Sequence, residues 1–150
     1  MPDVTVVDIL EKIEDTIEAL DGIVDDQVKL GIMWPADGAE HATYINVVPV
    51  RKHSVEIDGY EVHATFEVLV ACVTRIDSSS ANAQFKQLNT TWSAIEKAME
   101  NLMKNNCDSL ADKMTMDPSG VDWAGFDDKS EHAFAAAVYI VEIEHTLGTA

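Results

Sequence analysis

The sequence predicts an α+β protein: one domain over residues 1–150, with a mostly antiparallel β-sheet packed against two main α-helices. Three observations point there. Two stretches repeat apolar residues at three- and four-residue spacing, as helices do. An Asp58-Gly59 pair stands between two alternating apolar runs, the signature of a hairpin turn. A closing run from His132 to Thr146 is apolar on both faces, as in a central strand between covering layers.

The first helix is carried by Val6, Ile9, Leu10, Ile13, Ile17 and Leu20, which fall on one face. Thr5 is its N-cap, Asp8 suits the positive helix start, and Asp21-Gly22 is the stop. A strand follows over about Val28–Met33, and Trp34-Pro35-Ala36-Asp37-Gly38 reads as a loop tip. The next strand covers about Ala42–Val50. Ser54–Ile57 then leads through Asp58-Gly59 into a long strand from Tyr60 to Thr74. There Val62, Ala64, Phe66, Val68, Val70 and Cys72 share a face. The opposite face begins with His63, Thr65 and Glu67 and turns apolar at Leu69, Ala71 and Val73.

Asp77-Ser78-Ser79-Ser80 breaks the strand ahead of a helix over about Ala81–Lys104. Phe85, Leu88, Trp92, Ile95, Met99 and Leu102 give that helix the clearest periodicity in the chain. A Met and aromatic stripe of this kind reads as core. Asn105–Asp122 is polar, with a turn at Pro118-Ser119-Gly120; Leu110, Met114 and Met116 anchor a short helix or strand. In the final strand Glu142 and Glu144 share one face near its end.

Composition narrows the function. The apolar fraction of 47% is ordinary for a globular chain of 150 residues. A formal net charge of -17 is not, and it repels nucleic-acid phosphates and anionic membrane surfaces alike. No sequence-specific nucleic-acid binding and no membrane association are therefore expected. Met1-Pro2-Asp3 lacks the basic start of a signal peptide, and Cys72 and Cys107 form no C-x-x-C pair; a cytoplasmic product with reduced thiols is expected.

Motifs for chemistry are missing. The five histidines make no H-x-x-x-H or H-E-x-x-H pattern, and there is no P-loop, dinucleotide fingerprint, nucleophile elbow or EF-hand. His63 and His145, joined by Glu67 or Glu144, form the one arrangement that strand pairing could turn into a metal site; solvated strand histidines are the commoner case. No catalytic residue, metal or cofactor is expected.

Element order and three stretches carry a resemblance. These are the opening helix Val4–Leu20, the strand Glu61–Val70 with its polar break and long helix, and Asp122-Trp123-Ala124-Gly125-Phe126-Asp127-Asp128 feeding Phe134–His145. The chain resembles the tail terminator proteins of lambda-like long-tailed phages, whose fold is an α/β sandwich with two helices. Other head–tail joining proteins share that architecture, and an unrelated acidic adaptor domain is the remaining reading. The resemblance implies a hexameric ring that caps the tail tube, stops its polymerisation and docks to the head connector. It implies a place in the virion tail or neck, after a stay in the host cytoplasm. Trp34, Trp123 and Phe126 are the candidate subunit or partner contacts, because large aromatics on loops are informative when exposed. Asp127, Asp128 and Glu131 are candidate lumen or interface acids. An acidic lumen would let DNA pass without sticking.

Overall fold

The computed structural model describes residues 4–33, 35, 40–77, 79–125 and 131–148, leaving aside the Ser54 side chain. Two helices, α1 (Val6–Glu18) and α2 (Ala81–Lys104), lie with strands β1 (Val28–Lys29), β2 (Thr43–Asp58), β3 (Glu61–Arg75), β4 (Lys113–Ala124) and β5 (His132–Thr146). The strands form one sheet in the order β1-β2-β3-β5-β4. Only β1–β2 is parallel; the other three pairs are antiparallel. The α+β class read from the sequence is the one observed.

The opening helix starts as expected. Thr5 Oγ1 accepts from the Asp8 N–H at 3.3 Å, and Asp8 Oδ2 accepts from the Thr5 N–H at 2.8 Å, a reciprocal capping box. Ile9, Leu10, Ile13 and Ile17 of α1 enter one core with Leu88, Trp92, Ile95, Met99 and Leu102 of α2. Both helices thus cover the same face of the sheet, the one carrying Phe66, Val68 and Val70 of β3 and Tyr139, Val141 and Ile143 of β5.

Among the described residues, the other face has no helix. Its centre is a small apolar cluster of Ala71, Val73 and Ala136 with Leu69 and Phe134. The covering layer expected there is instead the segment after β1. Met33 N–H donates to Asn46 Oδ1 at 3.0 Å, Asn46 Nδ2 donates back to the Met33 carbonyl at 3.2 Å, and His132 Nε2 donates to the Pro35 carbonyl at 2.6 Å. These bonds satisfy Asn46, which is buried between sheet and segment.

Three details differ from the sequence reading. The strand expected over Val28–Met33 pairs only at Val28 and Lys29, because the chain then leaves the sheet plane for the helix-free face. The two runs Ala42–Val50 and Ser54–Ile57 are one strand, kept continuous by register shifts between Pro49 and Arg51 and between Lys52 and Ser54. The polar stretch after α2 contains a full strand, β4, whose alternation is hidden by a register shift between Met116 and Val121 that spans Pro118.

Between α2 and β4 the backbone turns left-handed over four consecutive non-glycine residues: Asn106, Cys107, Asp108 and Ser109, with φ of 53°, 56°, 57° and 65°. Such a conformation costs about 1–2 kcal/mol per L-residue. Local bonds hold it. Asn105 Oδ1 accepts from the Asp108 N–H at 2.8 Å, the Leu102 carbonyl accepts from the Cys107 N–H at 2.7 Å, and Lys12 of α1 pairs with Asp108 at 2.9 Å. The turn buries Cys107 and Ala111 and delivers Asp112 to β5, where its N–H donates to the Glu142 carbonyl at 2.8 Å.

Candidate assembly surface

Seven of the eleven exposed large apolar residues among those described follow β1 or lie along β2 and its turn; Val7, Val24, Trp123 and Leu147 lie elsewhere. Leu30, Ile32 and Met33 follow β1, and Val50, Val55, Ile57 and Tyr60 run along β2 and its turn. β2 leaves the core at Pro49: Ile45 and Val47 are buried, whereas Val50 is 55% exposed. Beyond the two register shifts, Val55 and Ile57 stand opposite Ala64 and Val62 on the helix-bearing side. Those two β3 residues are buried, yet Ile57 is 61% exposed and Tyr60 83%. Among the described residues, β1 is the one strand on the outer side of β2, and it ends at the Lys29–Asn46 pair. The rest of that edge therefore offers unpaired backbone groups. Pro49, the register shifts and the adjacent cations Arg51 and Lys52 are the devices that keep a free edge from pairing at random. Val55–Ile57 carries none of them beyond Glu56.

The sequence-derived contact residues fall differently. Trp34, Phe126, Asp127 and Asp128 lie outside the described residues. Trp123 is described and sits on β4 rather than a loop, opposite Ala135 of β5. It is half exposed, and its indole N–H donates to Asn89 Oδ1 of α2 at 3.1 Å, tying the strand to the helix layer. Glu131 has an exposed side chain, and its carbonyl accepts from the Ile76 N–H at 2.7 Å. The segment that feeds Phe126 is fixed by Gly125, whose φ of 83° suits glycine. A Cβ there would run into the His132 carbonyl oxygen and come within 2.7 Å of the Ala133 Cα, so β4 ends pressed against the start of β5.

Strand register separates the histidines that the sequence could have joined. His145 pairs with Val62 and turns to the helix-bearing side, whereas His63 pairs with Glu144 on the opposite face. His63 Nε2 is 3.8 Å from Glu144 Oε1, and Glu61 completes a group whose three ligand-type atoms lie within 4.8 Å of one another. The Glu144 carboxyl is pushed up, first by its hydrogen bond with Glu61 and then by burial. A second such group is Asp26, Glu40 and His41. There the Asp26 carboxyl, hydrogen-bonded to His41 at 2.9 Å, is held below the usual carboxylate range. Both groups are largely open to water. The two thiols are buried, and burial raises Cys72 to about 12 and Cys107 to about 11. Neither supplies a thiolate nucleophile near neutral pH. No helix among the described residues is long and apolar enough to cross a membrane.

The free edge of β2 is the feature that sequence reasoning missed. Val55 and Ile57 alternate as any hairpin strand does, and nothing local marks where the covering layer stops. The sequence matches no protein-family model and no curated protein.

Proposed function

We propose that this protein is a ring-forming virion subunit of the tail-terminator type. Six copies cap the tail tube, stop its growth and present the surface on which the head connector docks. The observation that carries this reading is the exposed apolar edge of β1–β2 on an otherwise strongly acidic chain. Large apolar side chains gathered along a free strand edge serve protein contact rather than catalysis. A ring is a heterologous assembly, and it needs two complementary surfaces per subunit and no reactive group. The net charge of -17 supports the same role, since an acidic ring on the DNA path does not retain the duplex.

Light scattering with negative-stain imaging of the same sample tests the ring; the expected result is a mass near six subunits and annular particles. A capping assay tests the role. Added to polymerising tail tube protein, the subunit should shorten the tubes and decorate one end. Tubes of unchanged length and bare ends would overturn the terminator role, and binding to the head connector alone would reassign the protein to another neck position.

A further inference from the structure

We infer that the basic stretch of the β2 edge, Arg51 to His53 with its flanking apolar residues, seats on the acidic outer face of α1 from a second copy of this chain. The inference rests on the ring reading and specifies which surfaces meet. Two observations carry it, one from each side.

On the β2 side, Arg51 and Lys52 are the only adjacent cations in the sequence. Both are exposed, and among the described residues neither forms an ion pair, although Arg51 lies in register with Glu67. Val50 and Val55 flank them and are themselves exposed. On the α1 side, Glu11, Glu14, Asp15 and Glu18 crowd one helix whose single cation, Lys12, is already engaged by Asp108. Val7 adds an exposed apolar residue to that helix. Partial burial, with crowding by Asp15 and Glu11, pushes the Glu14 carboxyl up; Glu18 is raised by burial and then by the like charges of Glu14, Asp25 and Asp15. Cations from a neighbour would relieve that crowding.

The competing ways of covering the edge are less favourable. A two-fold pairing of β2 with β2 centred on Arg51 and Lys52 would set them against a second pair of cations. Pro49 and the register shifts would also interrupt the ladder. The basic edge and the acidic helix are different surfaces, so their contact can repeat head-to-tail from subunit to subunit until it closes, whereas a reciprocal two-fold contact would stop at a dimer.

The test uses two variants of the full chain, Arg51→Glu with Lys52→Glu, and Glu11→Lys with Asp15→Lys. All four positions are exposed, and circular dichroism checks that each variant folds. Sedimentation velocity at low salt is expected to show the wild type assembled and each variant as a single subunit. An equal mixture of the two variants should recover the wild-type mass, because every contact in an alternating ring is then complementary. If the wild type and both variants assemble equally, this contact is wrong while the ring reading stands. If the mixture stays dissociated, the pairing is also wrong. If the wild type is a single subunit in solution, the same proteins are compared by tube capping. Capping by wild type and by the mixture, but by neither variant alone, supports the contact; equal capping by all overturns it. No capping by the wild type overturns the ring reading itself.

Discussion

Lys12 Nζ of α1 stands 2.9 Å from Asp108 Oδ2 in the middle of the left-handed turn. The first helix is thereby fastened to the least favourable backbone in the molecule. The hydrogen bond to Asp108 raises the Lys12 pKa, so the pair contributes at neutral pH and that contribution is lost as strongly alkaline solution deprotonates the lysine. The lysine is solvent-accessible, and water and salt screen the pair.

Relief of the backbone strain should show at Ser109. This residue is exposed, has φ of 65° and, among the described residues, makes no side-chain hydrogen bond that Gly would remove. Ser109→Gly is expected to stabilise by about 0.5–1 kcal/mol, the left-handed penalty removed less the added freedom of the unfolded chain. A glycine placed within α2, Asn101→Gly, should instead destabilise by about 0.3 kcal/mol, the gap in helix propensity between Asn and Gly. Urea titrations of both variants provide the check, and a loss of stability for Ser109→Gly would contradict the account of the turn.

Three buried polar atoms find no partner among the described residues: Trp92 Nε1, the Tyr139 hydroxyl and His145 Nε2. Burial, with Glu96 and Glu100 nearby, raises the Tyr139 hydroxyl well above its ordinary value. Leaving such a group unpaired costs about 1–3 kcal/mol. Tyr139→Phe should therefore be neutral or stabilise by up to about 1 kcal/mol. Truncation at the neighbouring core position, Phe66→Ala, should cost about 3–5 kcal/mol. Thermal melts of the two variants decide the matter, and a Tyr139→Phe protein as unstable as Phe66→Ala would show that the hydroxyl is bonded.

Acid should first strengthen this protein and then weaken it. Glu14 and Glu18 are raised mainly by burial, and Glu144 mainly by its hydrogen bond with Glu61. Each of these binds its proton more tightly folded than unfolded. Their ionised forms therefore oppose folding above the folded pKa, and the loss disappears as pH falls toward about 4.5. Asp77 and Asp117 behave oppositely, lowered by the N–H groups of Ser79 and Ser119, and Asp26 is lowered by His41. The stability these three add is lost as pH falls below about 3.8. A melting temperature that is highest between about pH 4 and 5 is expected. A melting temperature that declines steadily from pH 7 to pH 4 would contradict this assignment, and Glu14→Gln should flatten the rise.

What could be read in advance was local. The α1 cap at Thr5 and Asp8, the spacing from Leu88 to Leu102, and the Asp58-Gly59 hairpin each depend on a few neighbouring residues. What could not be read depended on distant parts of the chain. Asn106 to Ser109 contain no glycine, so nothing local signals a left-handed path; the burial of Cys107 and the grip of Asn105 and Lys12 set it. The separation of His63 from His145 follows from the register of two strands that meet across α2 and β4. Trp123 read as a loop residue because Pro118 and the register shift break the alternation of β4. The candidate edge was hidden because exposure of Val55 and Ile57 reflects where the covering layer stops.

The long ladder between β3 and β5 also constrains the order in which the molecule forms. It runs unbroken from the Arg75–His132 pair to the Glu61–Thr146 pair, and all of α2 and β4 lies between its two strands in sequence. Loop closure across that span must come before the ladder returns any free energy, which makes this step slow relative to the β2–β3 hairpin. During synthesis the β3 flank that will receive β5 stays open until Thr146 has emerged. Through that interval the nascent chain offers two unpaired strand edges, and chaperone contact would matter most then.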